Sequence, residues 1–271
     1  MPLIAYNAGT GEEVESFSAA PETWMAWRRL PIGSFQVGKD RVPAVLKRSS
    51  RGLQFFACAP GHGGTTEPES IEHQLAKIAL VQGLRAAGYQ ARVERPGRSP
   101  LGEEWVADVL AEANGRLIAF EVQLSQQHWD QYRQRTQRYL ASGVKCLWLV
   151  RSKHCDALRY ACMRHHVANG LSHNEAMNQG MDDMPWVHLE VSRSGESQFA
   201  CSIAVKPSVQ PSPVLRISPE EFAVGVVEGR MRFKQFHRIW TDWLWQVPQP
   251  QVDAPQLSFI PAAPEPTGLI F

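Results

Sequence analysis

The sequence predicts an α/β protein, an α+β mixed sheet whose core runs helix, three strands, helix, strand, with a small β-rich module before it and an extension behind it. Three observations carry this. Asn114-Gly115 sits between two apolar-rich runs, Trp105–Ala113 and Arg116–Gln123, and Asn-Gly is the strongest short-range signal for a two-residue type I′ hairpin. A helical pattern precedes this hairpin and a second one follows it. Lys145-Cys-Leu-Trp-Leu-Val150 is then a continuous apolar run, which suits a buried strand reached by a right-handed helical crossover and parallel to its predecessor.

The elements follow in order. Residues 1–66 hold short runs, Arg41–Leu46 and Leu53–Ala57, before the glycine-rich Gly61-His-Gly-Gly64, and read as the β-rich module with its linker. Pro68–Gly88 reads as a helix stopped by glycine, with Glu69, Glu72, His73 and Lys77 on one arc and Ile71, Leu75, Ile78 and Ala79 opposite. Tyr89–Val93 is the first strand and the hairpin supplies the next two. Ser125 is the expected N-cap of a helix through Trp129, Tyr132, Arg135 and Tyr139 that ends near Gly143. The strand at Lys145–Val150 closes the core, which spans 67–151. A third stretch, 152–246, begins with a helix over Asp156–Asn169, continues through strands at Trp186–Val191 and Phe199–Val205, and opens a further helix at Ser218-Pro219-Glu-Glu221 by a capping box. From 247 to 271 six prolines without apolar periodicity predict a disordered or extended tail.

The hairpin register predicts the site. With Asn114 and Gly115 at the tip, Ala113 pairs with Arg116, Val109 with Phe120, and Asp108 with Glu121. Carboxylates directly opposite have Cβ atoms roughly 5 Å apart and destabilise a sheet unless something compensates. A divalent cation on oxygen ligands is one compensation. Strand parity puts Ile118, Phe120 and Val122 on a packed face, and Ala119, Glu121 and Gln123 on a polar face with Asp108.

Glu72-His73 near a helix start, Ala107-Asp108-Val109, Glu121-Val-Gln123-Leu-Ser125 and Arg135-x-x-x-Tyr139, followed by Leu147-Trp148-Leu149, together resemble the nuclease domain of the competence-protein CoiA-like family. More broadly they resemble the PD-(D/E)xK nuclease superfamily, which shares the core order. The resemblance implies a PD-(D/E)xK restriction-endonuclease-like core and a Mg²⁺-dependent (or Mn²⁺-dependent) deoxyribonuclease that processes incoming DNA. It implies Glu72, Asp108, Glu121, Gln123 and Lys77 as catalytic residues. Asp108, Glu121, the Val122 carbonyl and Glu72 would hold the metal, and His73, Arg135, Tyr139 and Lys77 would contact DNA.

Two departures qualify this. Gln123 stands where the superfamily commonly has lysine, and an amide is neither a base nor a cation. The alternative is therefore a catalytically inactive DNA-binding or recruitment factor in uptake, recombination or defence. Related proteins also often begin with a Cys-x-x-Cys zinc-ribbon-like segment, of which Phe55–His62 resembles only the end, so residues 1–66 read as a degenerate version. Other features have plain readings. Arg135 and Tyr139, a helical turn apart, could stack on each other instead of meeting a phosphate, and Lys77 could be a solvated helix residue. Arg230–Trp245 interleaves basic and aromatic residues as a nucleic-acid surface would, but its helical spacing favours an amphipathic helix packing its aromatics. Cys155, Cys162, His165, His166 and His173 lack tight ligand pairs and read as ordinary buried and surface residues.

Composition excludes some classes. A formal net charge of +1 gives no global attraction to nucleic acid, so DNA contact must come from local clusters. No apolar run reaches the roughly 18 residues that span a bilayer, and Met1-Pro-Leu-Ile lacks a secretory-signal layout. Five irregularly spaced cysteines argue against a disulfide frame and for the cytoplasm. The expected partners are DNA, a second copy of the chain, and recombination or DNA-uptake proteins, with no membrane.

Overall fold

A computed structural model describes residues 1–62, 69–179, 184–194, 198–207, 215–236 and 240–245. The proline-rich segment at 247–271, expected to be disordered, lies outside the described residues. The first sheet is antiparallel throughout, β1 (Ile4–Asn7), β2 (Glu13–Glu15), β3 (Phe35–Val37), β4 (Val42–Arg48) and β5 (Gln54–Cys58), in the order β2-β1-β3-β4-β5. Helix α1 (Pro21–Trp27) closes it by seating Trp24 against Phe56, ring centroids 5.3 Å apart, with Phe35 beside them. Aromatic burial of this kind gives so short a module a core of its own.

The second sheet carries the candidate site. Helix α2 (Ile71–Ala86) starts at Ser70, whose hydroxyl accepts the His73 N–H, and ends at Gly88, whose φ of +87° suits the left-handed turn past a helix end. Strands β6 (Gln90–Arg98), β7 (Glu104–Ala113) and β8 (Arg116–Gln123) form an antiparallel meander. Asn114 and Gly115 have φ of +52° and +70°, as a type I′ turn requires, and the ladder runs from Ala113–Arg116 to Val109–Phe120 in the expected register. After β8 come α3 (Trp129–Ala141) and β9 (Val144–Arg151), parallel to β8 with Glu121 beside Trp148. Helix α3 starts at His128 instead of Ser125. The Ser125 hydroxyl instead accepts from the Gln123 amide, and the side chain of Gln131 accepts the His128 N–H.

Helices α4 (Ser152–Ala168) and α5 (His173–Gln179) lead to β10 (Trp186–Ser194), parallel to β9, and to β11 (Gln198–Pro207), antiparallel to β10. Strand β12 (Leu215–Ile217) pairs with β11. Helix α6 (Pro219–Val227) opens with the expected capping box between Ser218 and Glu221. The segment expected to be an amphipathic helix is a β-hairpin, β13 (Met231–Phe236) and β14 (Trp240–Trp245). Met231, Phe233 and Gln235 alternate with Arg232 and Lys234, so a period of two was present beneath the helical one. Abundant Phe and Trp favour the strand. The sheet order is β13-β14-β11-β10-β9-β8-β7-β6, with β12 beside β11.

Both faces of this sheet are covered. Leu80, Val81 and Leu84 of α2 and Phe222 and Val226 of α6 pack on Val109, Phe120, Val122, Leu147 and Leu149. Tyr132 and Tyr139 of α3 and Cys155, Leu158 and Cys162 of α4 pack on Ala119, Trp148 and Val150. The sequence parity of β8 is therefore right, but its second face is a core and not a solvated platform. Helix α2 is also rotated from its expected face. It is squeezed between the sheet and α6, where a Cβ on Gly83 would meet the Glu220 Cβ at 2.5 Å, so Ala76, Lys77, Leu80 and Leu84 are buried along with the expected Ile78, and Leu75 is only half-buried.

Gly97 faces Trp105 across the β6–β7 ladder, and an added Cβ would meet the indole at 2.1 Å. Gly97→Ala is expected to lower stability by about 1–3 kcal/mol through overpacking. Urea titration measures this, and an unchanged midpoint would mean that the indole moves aside without loss.

Candidate active site

Pairing between β7 and β8 ends at Val109–Phe120, one residue short of Asp108 and Glu121. There the Val122 N–H donates at 2.8 Å to the carboxylate of Asp108. The two acids then turn to helices on opposite faces. The Oδ2 of Asp108 lies 3.0 Å from His73 Nε2, and its Oδ1 lies 3.9 Å from Lys77 Nζ, both on α2. Glu121 accepts from the Tyr139 hydroxyl and the Arg135 guanidinium, both on α3, and has no solvent exposure. Asp108 and Glu121 lie close enough for the charge of one to raise the pKa of the other, but the expected cross-strand pair is not in the ladder, and with side chains on opposite faces they do not form the shared polar platform expected of them.

Protein cations supply the compensation expected of a metal. Lys77 is completely buried, 2.8 Å from Glu69 and 2.9 Å from Glu94. Burial would strip its proton, but Glu94, Asp108 and Glu69 overcome this and raise its pKa above the ordinary lysine value. Burial would likewise discharge His73, yet the Asp108 carboxylate and then Glu69 raise its pKa. For Asp108, burial opposes ionisation, and His73, Lys77 and the Val122 N–H together hold its carboxyl down near 2. Glu121 goes the other way. Burial first and the Asp108 charge second push its carboxyl up to about 7, against Arg135, Tyr139 and the Asp108 backbone.

The remaining expected residues are distributed as follows. Glu72 pairs with Arg51 at 3.4 Å. The acid that α2's leading end brings to Asp108 is Glu69, and Glu69, His73 and Asp108 offer ligand atoms within 4.8 Å of one another. Gln123 directs its amide N–H to the Ser125 hydroxyl at 2.9 Å and to the Ser125 carbonyl at 3.0 Å. Lys77 and Tyr139, expected at a DNA phosphate, are corrected by their burial: both faces of the sheet are sealed over them. His73 is also mostly covered, against Asp108. Arg135 is the expected DNA contact that keeps a solvent-facing part, its side chain about a third exposed and its guanidinium 4.8 Å from the Trp148 ring. Arg135 and Tyr139 do not stack on each other, because both grip Glu121. Glu94 was missed. No pattern marks an acid inside a short strand as special, whereas Glu69 was visible on the same helical arc as His73.

Two carboxylates and one imidazole fit a divalent cation, with the nitrogen favouring Mn²⁺ or a softer metal over Mg²⁺. Glu121 does not offer an unoccupied oxygen to that group while Arg135 and Tyr139 hold both.

Residues 69–182 match the family model described as competence protein CoiA, nuclease-like domain, and the match runs beyond the expected core boundary at 151. A search of curated proteins finds no significant match. Among solved structures, one titled "Crystal Structure of Protein of Unknown Function AF1548" aligns at 10% identity with a TM-score of 0.26. The alignment covers 42% of this chain and 56%, little more than half, of that one. Among the described residues no helix is long and apolar enough to cross a membrane.

Proposed function

We propose that this chain is a metal-dependent DNA nuclease of the PD-(D/E)xK type that hydrolyses phosphodiester bonds in DNA processing. The observation that best supports this is the cluster of Glu69, His73 and Asp108, whose ligand atoms lie within 4.8 Å of one another just past the last β7–β8 pair, with Glu121 and Arg135 beside it on the α3 side. The core order of α2, three strands, α3 and a parallel strand supports the same reading. Glu69, His73 and Asp108 would hold Mn²⁺ or Mg²⁺, with Glu121 joining if Arg135 turns outward to a phosphate. A bound ion would supply an activated water and neutralise charge on the scissile phosphate. His73 must give up the proton at Nε2 for this, which ends its hydrogen bond to Asp108, while the Val122 N–H continues to hold that carboxylate. The Glu121 carboxyl, raised toward neutrality, suits proton transfer better than an ordinary glutamate would. Arg135 would neutralise the phosphate with its exposed edge. Gln123, tied to Ser125, would position the loop after β8 and not act as a base. A cytoplasmic setting belongs to this reading, and among the described residues Cys58, Cys146 and Cys155 form no disulfide.

A second reading, an inactive DNA-binding or recruitment factor, is favoured by one observation: Arg135, Tyr139, His73 and Lys77 already satisfy the acids without an ion. The deciding experiment incubates purified protein with single- and double-stranded DNA in Mn²⁺ and in Mg²⁺ beside Asp108→Ala and Glu121→Ala. Cleavage by the wild type should fall at least a hundredfold in both variants, while DNA affinity, set by other side chains, changes less than threefold. Intact DNA under every condition, with unchanged binding, would decide for the recruitment factor.

A further inference from the structure

We propose that Glu94 is a positioning residue that ties the first strand of the N-terminal sheet to the candidate centre and holds Lys77 off Asp108. This deepens the reading above and rests on it for its consequence, an accessible oxygen on Asp108.

Among the described residues the non-glycines with positive φ are Arg41, Asn114 and Glu94. Arg41 and Asn114 lie in turns, whereas Glu94 lies inside β6 at φ +50°. A left-handed non-glycine within a strand is strained, and such strain persists only when the surroundings over-determine it. Here the surroundings are visible. Both carboxylate oxygens of Glu94 accept the Leu3 N–H at 3.0 Å, one also accepts the Ile4 N–H at 3.3 Å, and Oε1 accepts from Lys77 Nζ at 2.9 Å. Leu3 is buried and Ile4 begins β1, so these N–H groups belong to the start of the N-terminal sheet. One side chain thus joins a segment 90 residues away to a lysine of α2.

Lys77 stands between three acids and hydrogen-bonds two of them. Glu94 and Glu69 take its ammonium at 2.9 and 2.8 Å, and Asp108 Oδ1 is left at 3.9 Å, beyond hydrogen-bond reach. The Oδ2 of Asp108 is meanwhile occupied by His73 and the Val122 N–H. Oδ1 is therefore the oxygen through which Asp108 can meet an incoming cation, and it stays accessible only while Lys77 is drawn to the far side. Without the charge of Glu94, the buried ammonium keeps Glu69 and closes on the next acid within reach, Asp108 Oδ1 at 3.9 Å.

A double-mutant cycle in metal-free buffer tests the tie. Glu94→Gln should raise the unfolding equilibrium constant by a factor at least tenfold larger in the wild-type background than in Lys77→Met, measured by urea titration. Additive effects would overturn the proposal. Mn²⁺ titration tests the consequence: Glu94→Gln should weaken binding at least tenfold, and Lys77→Met added to it should restore affinity to within threefold. Wild-type and Glu94→Gln protein binding Mn²⁺ equally would overturn the positioning role, whereas a non-additive cycle in a protein that binds no Mn²⁺ would uphold the tie and remove the metal reading instead. Glu94→Asp guards against a variant that fails to fold, since aspartate tolerates positive φ and keeps the charge but loses reach. It should speed hydrogen exchange at Leu3 and Ile4 at least tenfold, and unchanged protection there would overturn the tie.

Discussion

Arg135→Met is expected to destabilise the protein by about 3–5 kcal/mol at pH 8 and by markedly less at pH 5, because it leaves the fully buried Glu121 carboxylate without its cation. Methionine keeps most of the stem that lies over Trp148, so lost packing contributes little. The pH dependence follows from the direction of the Glu121 shift. Its folded-state pKa is raised, from an ordinary 4.5 to about 7, so the folded protein binds more protons than the unfolded chain across that window, and stability falls as pH rises through it. Removing Arg135 raises the folded value further. At pH 5 the carboxyl then takes a proton and the buried charge disappears. At pH 8 the protein must either hold that charge unpaired or bind the proton against a low proton concentration. His73, also raised, loses stability with rising pH in both proteins and largely cancels in the difference. Urea titrations of both proteins at the two pH values measure this, and an equal loss at both would mean that Glu121 is not the group Arg135 supports. Glu121→Gln in the same background should flatten the difference.

The second large effect concerns Trp148. Its indole is completely buried on β9, edge-on to Tyr132 at 4.7 Å between ring centroids, with Nε1 donating to the Thr136 hydroxyl at 2.9 Å and the Arg135 guanidinium over its face. Trp148→Ala should cost about 3–5 kcal/mol, a transfer loss plus a cavity that α3 and the sheet cannot fully close. For a chain of this size that corresponds to a fall in Tm on the order of 10 °C. Because Trp148 stands beside Glu121 in the β8–β9 ladder and beneath Arg135, the same change should loosen the grip on Glu121. Trp148→Phe separates the contributions: it keeps an aromatic face for Arg135, loses the Thr136 hydrogen bond, and should recover at least half of the stability. A midpoint for Trp148→Ala within 2–3 °C of wild type, far below the roughly 10 °C expected for a lost aromatic core residue, would show that this side of the sheet is not a cooperative core.

Local chemistry made the hairpin legible, and with it the adjacency of Asp108 and Glu121. Asn114-Gly115 allows essentially one tight turn, and a two-residue turn leaves one register. The cap at Ser218, the stops at Gly88 and Gly143, and the parallel strand at Val144–Arg151 were legible for the same reason: each depends on a few consecutive residues. At Arg230–Trp245 two periods coexist in one short aromatic-rich run, and only the partner strand selects between them.

What the sequence by itself determined, then, is the order of elements, the hairpin register and the residues that could hold charge at its end. The tertiary structure alone decided how those charges are paired. Glu121 meets Arg135 and Tyr139 because α3 returns across one face, Asp108 meets His73 and Lys77 because α2 lies on the other, and Glu94 reaches Leu3 because a strained residue turns its side chain toward a distant segment. The physical reason is that periodicity and turn chemistry act over a few residues, whereas compensation of a buried charge depends on which helix packs over it, and that is fixed by packing across the whole sheet.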